Sequence, residues 1–117
     1  MDLDVLVYHH LKQLGVPASI KGYRYLSDAI VHAIRDPEVF GAITKRLYPA
    51  IAANNGTTAS RVERDIRHAI EHVFDTTDPE VLRHYFGNTM SMRTGKLTNS
   101  QFMAGVAEYI RMEEEYD

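Results

Sequence analysis

Hydrophobic and polar positions alternate along this chain with a helical period, and no stretch carries the two-residue alternation of a half-buried strand. Leu3, Leu6, Val7, His10, Leu11 and Leu14 recur at three-to-four spacing. They predict an amphipathic helix that Gly15-Val16-Pro17 ends. A second helix is predicted from about Gly22 to Arg35, with Tyr23, Leu26, Ile30, Ala33 and Ile34 inward. Asp36-Pro37-Glu38 and Asp78-Pro79-Glu80 both carry helix-start grammar: an acid that caps, proline in the first turn, and a further acid beside it. The second copy opens a short helix closed by Gly87.

The stretch Phe40 to Asn54 is apolar at helical spacing but contains Pro49, which removes a backbone donor and clashes with the preceding turn. A kink or restart is therefore predicted, with a short helix over Pro49–Asn54. Asn55-Gly56-Thr57 makes a tight turn, and a long helix follows over roughly Ala59–Asp75. Residues 88–97 read as irregular, with Met90 and Met92 as gap-filling core residues. Thr98 and Gln101 have capping-box spacing and start a last helix that buries Phe102, Val106, Tyr109 and Ile110. About six helices with short connections make one all-α domain.

Composition narrows the function. The 117 residues are 44% hydrophobic and 25% charged, enough for one packed core without staples. No cysteine is present, which excludes zinc knuckles, redox motifs and disulfide frameworks. No apolar run approaches a membrane span and the N-terminus lacks a signal peptide, so a cytoplasmic protein without a membrane partner is expected. The formal net charge is −3, but residues 108–117 alone contribute −4 and the rest sums to +1. That balance permits a DNA partner without pointing to one.

The helix after the Asn-Gly-Thr turn holds the most chemistry. Val62, Ile66, Ala69, Ile70 and Val73 fall in a sector about 100° wide that anchors a core face. Ser60, Arg61, Arg64, Arg67, His68 and Glu71 fall opposite. A short helix, a turn with glycine and a longer helix with a basic face is helix-turn-helix grammar. Arginine grips guanine O6 and N7 through two parallel hydrogen bonds, and glutamate accepts from cytosine N4. The bland alternative is a solvated face laced by pairs such as Arg67–Glu71. His68, Glu71 and His72 suggest a metal only if His9, His10, His32 or His84 supplies a further ligand. Tyr23 and Tyr25, beside Lys21 and Arg24, read as half-buried packing residues. No phosphate-binding glycine loop or nucleophile elbow occurs, and neither an enzyme nor a cofactor is expected.

Several stretches resemble one family in order along the chain. They are Gly15-Val16-Pro17-Ala18, Ile20-Lys21-Gly22-Tyr23, Ile43-Thr44-Lys45, Leu47-Tyr48-Pro49, Thr57-Thr58-Ala59-Ser60-Arg61-Val62-Glu63-Arg64 and Ile66-Arg67-His68-Ala69-Ile70-Glu71. Phe86-Gly87, Ser91-Met92 and Thr98-Asn99-Ser100 continue the match. The chain resembles the C-terminal effector domain of the stage-zero sporulation response regulator. The resemblance implies a six-helix domain binding double-stranded DNA at a TGTCGAA-type element, often in tandem copies that template a dimer. It implies base contacts by Glu63, Arg64 and Arg67, with Ser60 and Arg61 as neighbours contributing phosphate or base contacts. It places the segment Asp78–Asn88 beside the RNA polymerase sigma subunit, with Arg83 and Phe86 as contact candidates. Full-length members carry an N-terminal receiver domain; this sequence has none, so a fragment or a stand-alone effector is expected.

Departures from the family pattern bear on affinity. Asp65 stands where a small apolar residue is usual, and Asn54-Asn55 where lysines are common. Two lost phosphate contacts should flatten the log–log salt dependence by about two units. Val81, Arg83 and His84 replace small or apolar residues in the sigma-facing segment. Ser60 and Glu63 have capping-box spacing that would turn Glu63 onto the backbone, unless Thr58 caps instead. Two functions follow: a sequence-specific DNA-binding regulator, or a protein-interaction module or anti-activator on the same scaffold. A metal-dependent enzyme built on His68 and His72 is a distant third.

Overall fold

The computed structural model describes residues 2–87 and 96–116. The predicted irregular stretch up to Gly95, with Met90 and Met92, lies outside them. Among the described residues six α-helices run in order: α1 (Leu3–Gln13), α2 (Tyr23–Arg35), α3 (Tyr48–Asn54), α4 (Ala59–Thr76), α5 (Pro79–Phe86) and α6 (Asn99–Tyr116). No strand occurs among the described residues. The domain is all-α, as the periodicity predicts.

The caps explain where the helices start. Asp2 accepts from the Asp4 N–H at 2.8 Å and opens α1. Asp78 does the same for Glu80 at 2.8 Å, with Pro79 in the first turn of α5 and Gly87 at φ +53 closing it. Thr98 and Gln101 form the reciprocal box expected of them. The Thr98 N–H donates to Gln101 Oε1 at 3.0 Å, and the Gln101 N–H to Thr98 Oγ1 at 3.1 Å.

Asp36-Pro37-Glu38 behaves differently from its expectation. Residues Pro37–Gly41 form only a 3₁₀ turn, and the Asp36 carboxylate makes no cap. Its backbone N–H closes α2 on the His32 carbonyl, and its side chain pairs with Arg46 at 3.1 Å. The break near Pro49 falls earlier than predicted. Ile43–Leu47 is a π-helical turn, and α3 starts at Tyr48 with Pro49 in its first turn. A π turn widens the coil where the proline ring would otherwise press on the carbonyl four residues back.

The core gathers one side of every helix. α2 contributes Leu26, Ala29, Ile30, Val31 and Ala33, while α6 contributes Phe102, Met103, Val106, Ala107 and Ile110. α4 lays Val62, Ile66, Ala69, Ile70 and Val73 into the same core. Each large aliphatic side chain so buried is worth about 1.5–3 kcal/mol. Tyr23, Tyr25 and Tyr109 are half-buried at its margin. At the α2–α4 crossing, Gly22 lies so close to α4 that a Cβ there would sit 2.0 Å from the Asp65 carbonyl oxygen.

A polar cluster ties α1 to α5 and α6. His10 is buried, its Nδ1 sharing a hydrogen bond with Tyr85 Oη at 2.7 Å and its Nε2 lying 3.2 Å from Glu113. Tyr85 Oη donates to Gln13 Oε1 at 2.6 Å. Burial lowers the His10 pKa and outweighs the attraction of Glu113, a half-exposed carboxylate screened by water. Burial likewise pushes the Tyr85 phenol up.

Candidate nucleic-acid interface

The interface is built on α3, its turn and α4. Asn55 ends α3: its side-chain Nδ2 donates to the Ile51 carbonyl at 2.8 Å and to Asp28 Oδ2 on α2 at 3.0 Å. Gly56 follows at φ +62, a left-handed conformation that glycine adopts without a Cβ penalty. Thr58 is the cap of α4, its Oγ1 accepting from the Arg61 N–H at 3.2 Å. Of the two capping arrangements open to the sequence, the threonine one is formed. Glu63 is therefore released from the backbone.

With the apolar stripe of α4 inside, Ser60, Arg61, Arg64, Arg67, His68 and Glu71 are all exposed, as the helical wheel predicts. Glu63 is half-buried at the edge of that face. Its Oε1 accepts from Arg67 Nη1 at 2.5 Å, and Glu71 lies 3.8 Å from Arg67 Nε on the other side. Arg67 is thus held in a ladder of two carboxylates one turn away in each direction. Arg61 makes no ion pair among the described residues. The face presents three guanidiniums, of which Arg67 is oriented and Arg61 open to a new partner.

Asp65 does not belong to this face. It is 6% exposed, on the flank of α4 that packs inward, and its carboxylate lies 3.9 Å from Arg64 Nε. Its negative charge is withdrawn from the surface that a ligand would meet. Asn55 is half-buried, and its amide is spent on α2 and α3.

Asn99 is a residue that the periodicity did not single out. From the first turn of α6 its Nδ2 donates to the Glu63 carbonyl at 3.2 Å and to Tyr48 Oη at 3.1 Å. One amide thereby fixes both helices of the helix-turn-helix pair to α6. The Tyr48 ring is buried, and burial pushes its phenol pKa above the ordinary value.

The other candidates are dispersed. Arg83 is exposed on α5 and pairs with Glu80 on its own helix. Phe86 is 4% exposed, stacked at a tilt on Phe102 with ring centroids 5.1 Å apart. It packs directly over Gly105, where a Cβ would lie 2.7 Å from its ring. As a surface contact Phe86 is corrected: an aromatic on the inner side of α5 fills the core, leaving Arg83 as the exposed one of the pair. Among the described residues no three His, Cys, Asp or Glu side chains converge as a metal site would need. His10 and His84 instead hydrogen-bond to Tyr85 and Tyr109. No helix among the described residues is long and apolar enough to cross a membrane.

The model of the family described as Sporulation initiation factor Spo0A C terminal matches residues 7–110, a span containing α2 to α5 entire and nearly all the site described above. The chain belongs to that family of DNA-binding regulatory domains.

Proposed function

We propose that this domain reads DNA sequence-specifically by laying α4 in the major groove of a TGTCGAA-like element. Membership of the family makes it a DNA-binding transcription regulator of the sporulation type; the proposal adds which residues read and how. Arg64 and Arg67 contact guanines, each able to donate two hydrogen bonds to O6 and N7. Glu63 aims Arg67 and accepts from cytosine when the pair opens. Ser60 and Arg61, at the start of α4, contact phosphate or flanking bases.

The observation that carries this reading is an exposed arginine face, with Arg67 oriented by two carboxylates, on a helix set off by a capped tight turn. Side chains already oriented by packing and neighbouring carboxylates lose less freedom on docking. Arg83 on α5 is the residue proposed to meet the polymerase sigma subunit, and tandem elements would bring two copies side by side. The rival reading, a protein-interaction module with weakened DNA binding, draws on Asp65, Asn54-Asn55 and the acidic tail. The burial of Asp65 and the internal bonding of Asn55 weaken two of these motives, while the exposed Asn54 and the acidic tail still speak for it.

The test is titration of a TGTCGAA-type duplex and a scrambled duplex across a salt series. Preference for the specific duplex is expected throughout. Arg64→Ala should cost about 1–3 kcal/mol on the specific duplex and relax discrimination at one base pair. Equal affinity of the intact domain for both duplexes sinks specific readout.

A further inference from the structure

A pocket of about 320 Å³ opens where α1, the loop after it and the C-terminal half of α4 meet. Tyr8 and Lys12 line it from α1, residues 15–18 from the loop, and His72 from α4. Local bonding fixes the loop wall. The Val16 N–H donates to the Leu11 carbonyl at 2.9 Å, and the Ile20 N–H to the Pro17 carbonyl at 3.0 Å. Thr77 Oγ1, just past the end of α4, donates to the Leu14 carbonyl at 2.7 Å. Gly15 stands at φ +85, and a Cβ there would lie 2.5 Å from that same Thr77 oxygen, so the loop presses this close to α4 only with glycine in place. Tyr8 meets Tyr23 edge-to-face, ring centroids 6.4 Å apart. The cavity is preformed, as small-molecule sites usually are.

The lining is mostly apolar, from buried Val16, Pro17, Ala18 and the Tyr8 ring, and no carboxylate belongs to it. Lys12 is exposed and makes no ion pair among the described residues. It stands in the last turn of α1, where a cation complements the helix dipole, but that leaves its N–H donors unshared. The half-buried His72 ring has no hydrogen-bond partner among the described residues; only its backbone carbonyl is used, by the Thr76 hydroxyl. A histidine that serves packing is bonded on both nitrogens, as His10 is. We propose that this pocket binds a small monocarboxylate with a short apolar body, its oxygens taken by Lys12 and His72 and its body laid on Val16, Pro17 and Tyr8. A carboxylate brings two acceptor oxygens and one charge, matching one permanent cation and one imidazole. A phosphate would ask for the arginines or glycine-rich nest that the pocket lacks. The walls come from α1 and α4, so an occupied pocket bridges the two helices. The proposal stands independently of how α4 reads DNA.

The full chain is titrated with hexanoate at constant ionic strength and followed by backbone-amide and histidine-ring NMR shifts, with hexanol and acetate as the body and the head alone. Hexanoate should give saturable shifts centred on Tyr8, Lys12, Val16 and His72. Hexanol and acetate should each bind about tenfold more weakly. Lys12→Gln should weaken hexanoate about fivefold, the share of an exposed ion pair. His72→Phe keeps an aromatic ring without its donors and should weaken it about tenfold. Lys21→Gln, an exposed lysine outside the pocket, should bind as the parent does. Lys12→Gln changes a solvent-facing side chain and decides the matter even where His72→Phe fails to fold. Absence of saturable shifts, or shifts centred elsewhere, overturns the site. Hexanol binding as tightly as hexanoate overturns recognition of the anion, and acetate doing so overturns the apolar body. Unaltered affinity in Lys12→Gln or in folded His72→Phe overturns the assignment of the donors, and an equal loss in Lys21→Gln reduces the effect to net charge.

Discussion

Gly22→Ala tests the contact that seats α4. The Cβ would lie 2.0 Å from the Asp65 carbonyl oxygen, 2.6 Å from its carbon and 3.2 Å from the Ile66 nitrogen. All three atoms belong to the α4 backbone, which cannot swing aside as a side chain can. An unstrained carbon–oxygen approach is about 3.3 Å or more, so α2 and α4 must separate by roughly 1 Å. Gly22 has φ −82 and ψ −1, an ordinary right-handed conformation, so no backbone strain enters. Overpacking of this kind costs about 1–3 kcal/mol, and the rigidity of the colliding atoms puts the variant at the upper end. Gly22 is also the cap residue of α2, where alanine is roughly 0.5–1 kcal/mol worse than glycine. Gly22→Ser separates the two causes, because serine caps well yet carries the same Cβ. Urea unfolding followed by far-UV circular dichroism should show both variants with clearly lowered midpoints, serine recovering no more than the capping share. Gly41→Ala is the control: nothing lies within 4 Å of its Cβ, and it should stay within about 0.5 kcal/mol of the parent. A serine variant as stable as the parent would refute the close-approach argument.

Three further perturbations probe the same frame. Asn99→Ala removes the amide shared by the Glu63 carbonyl and Tyr48 Oη and should cost about 1–3 kcal/mol in unfolding, with a loss of duplex discrimination measured well below the transition; unchanged discrimination would reduce Asn99 to a purely stabilising residue. His10, with its pKa held below 6.5 by burial, takes up its proton at higher pH unfolded than folded. Stability from this group is therefore complete above about pH 6.5 and is lost as pH falls through the lower folded value; midpoints measured from pH 8 to 5 should decline, and His10→Gln should flatten the decline. Asp65→Ala replaces a buried carboxylate with the best helix former and should raise stability by about 0.5 kcal/mol or more while leaving duplex affinity nearly unchanged, since the carboxylate is withdrawn behind Arg64; a destabilised variant would show that the carboxylate supports the α2–α4 contact.

Much of this architecture is legible in the sequence because it depends on neighbours three or four residues apart. The inward stripe of α4, the Asp78 start of α5 and the Thr98–Gln101 box are all local, and each forms as its spacing predicts, whereas spacing left the cap of α4 open between Ser60 and Thr58 and the structure forms the latter. What the sequence hides is set by distant partners. Asn99 meets residues 36 and 51 positions away, so nothing near it in sequence marks it as a support of the reading helix. Asp36 has cap grammar, but Arg46 competes for its carboxylate once the intervening turns bring them together. Phe86 lies in a segment flagged for partner contact, and only the absence of a side chain at Gly105 shows where its ring goes. Pro49 predicts a break but not its form, because the choice between kink and π turn depends on how Leu47 and Tyr48 are buried.

Asp65 and Asn55 show why a departure from a family pattern has to be judged in three dimensions. Read along the chain, an acid within the recognition helix and an amide in place of a lysine both subtract from DNA affinity. Helical geometry already hints otherwise for Asp65, which stands one residue before Ile66 and three after Val62, on the shoulder of the core stripe. Its charge lies behind Arg64, and water and the guanidinium stand between it and a phosphate approaching the exposed face. Asn55 makes two internal bonds from one amide nitrogen, to Asp28 and the Ile51 carbonyl, that a lysine in the same place could not make in the same geometry. What the chain gives up in cationic reach at the end of α3 it gains as a fixed angle between α2, α3 and the start of α4. A helix that reads bases needs that angle held.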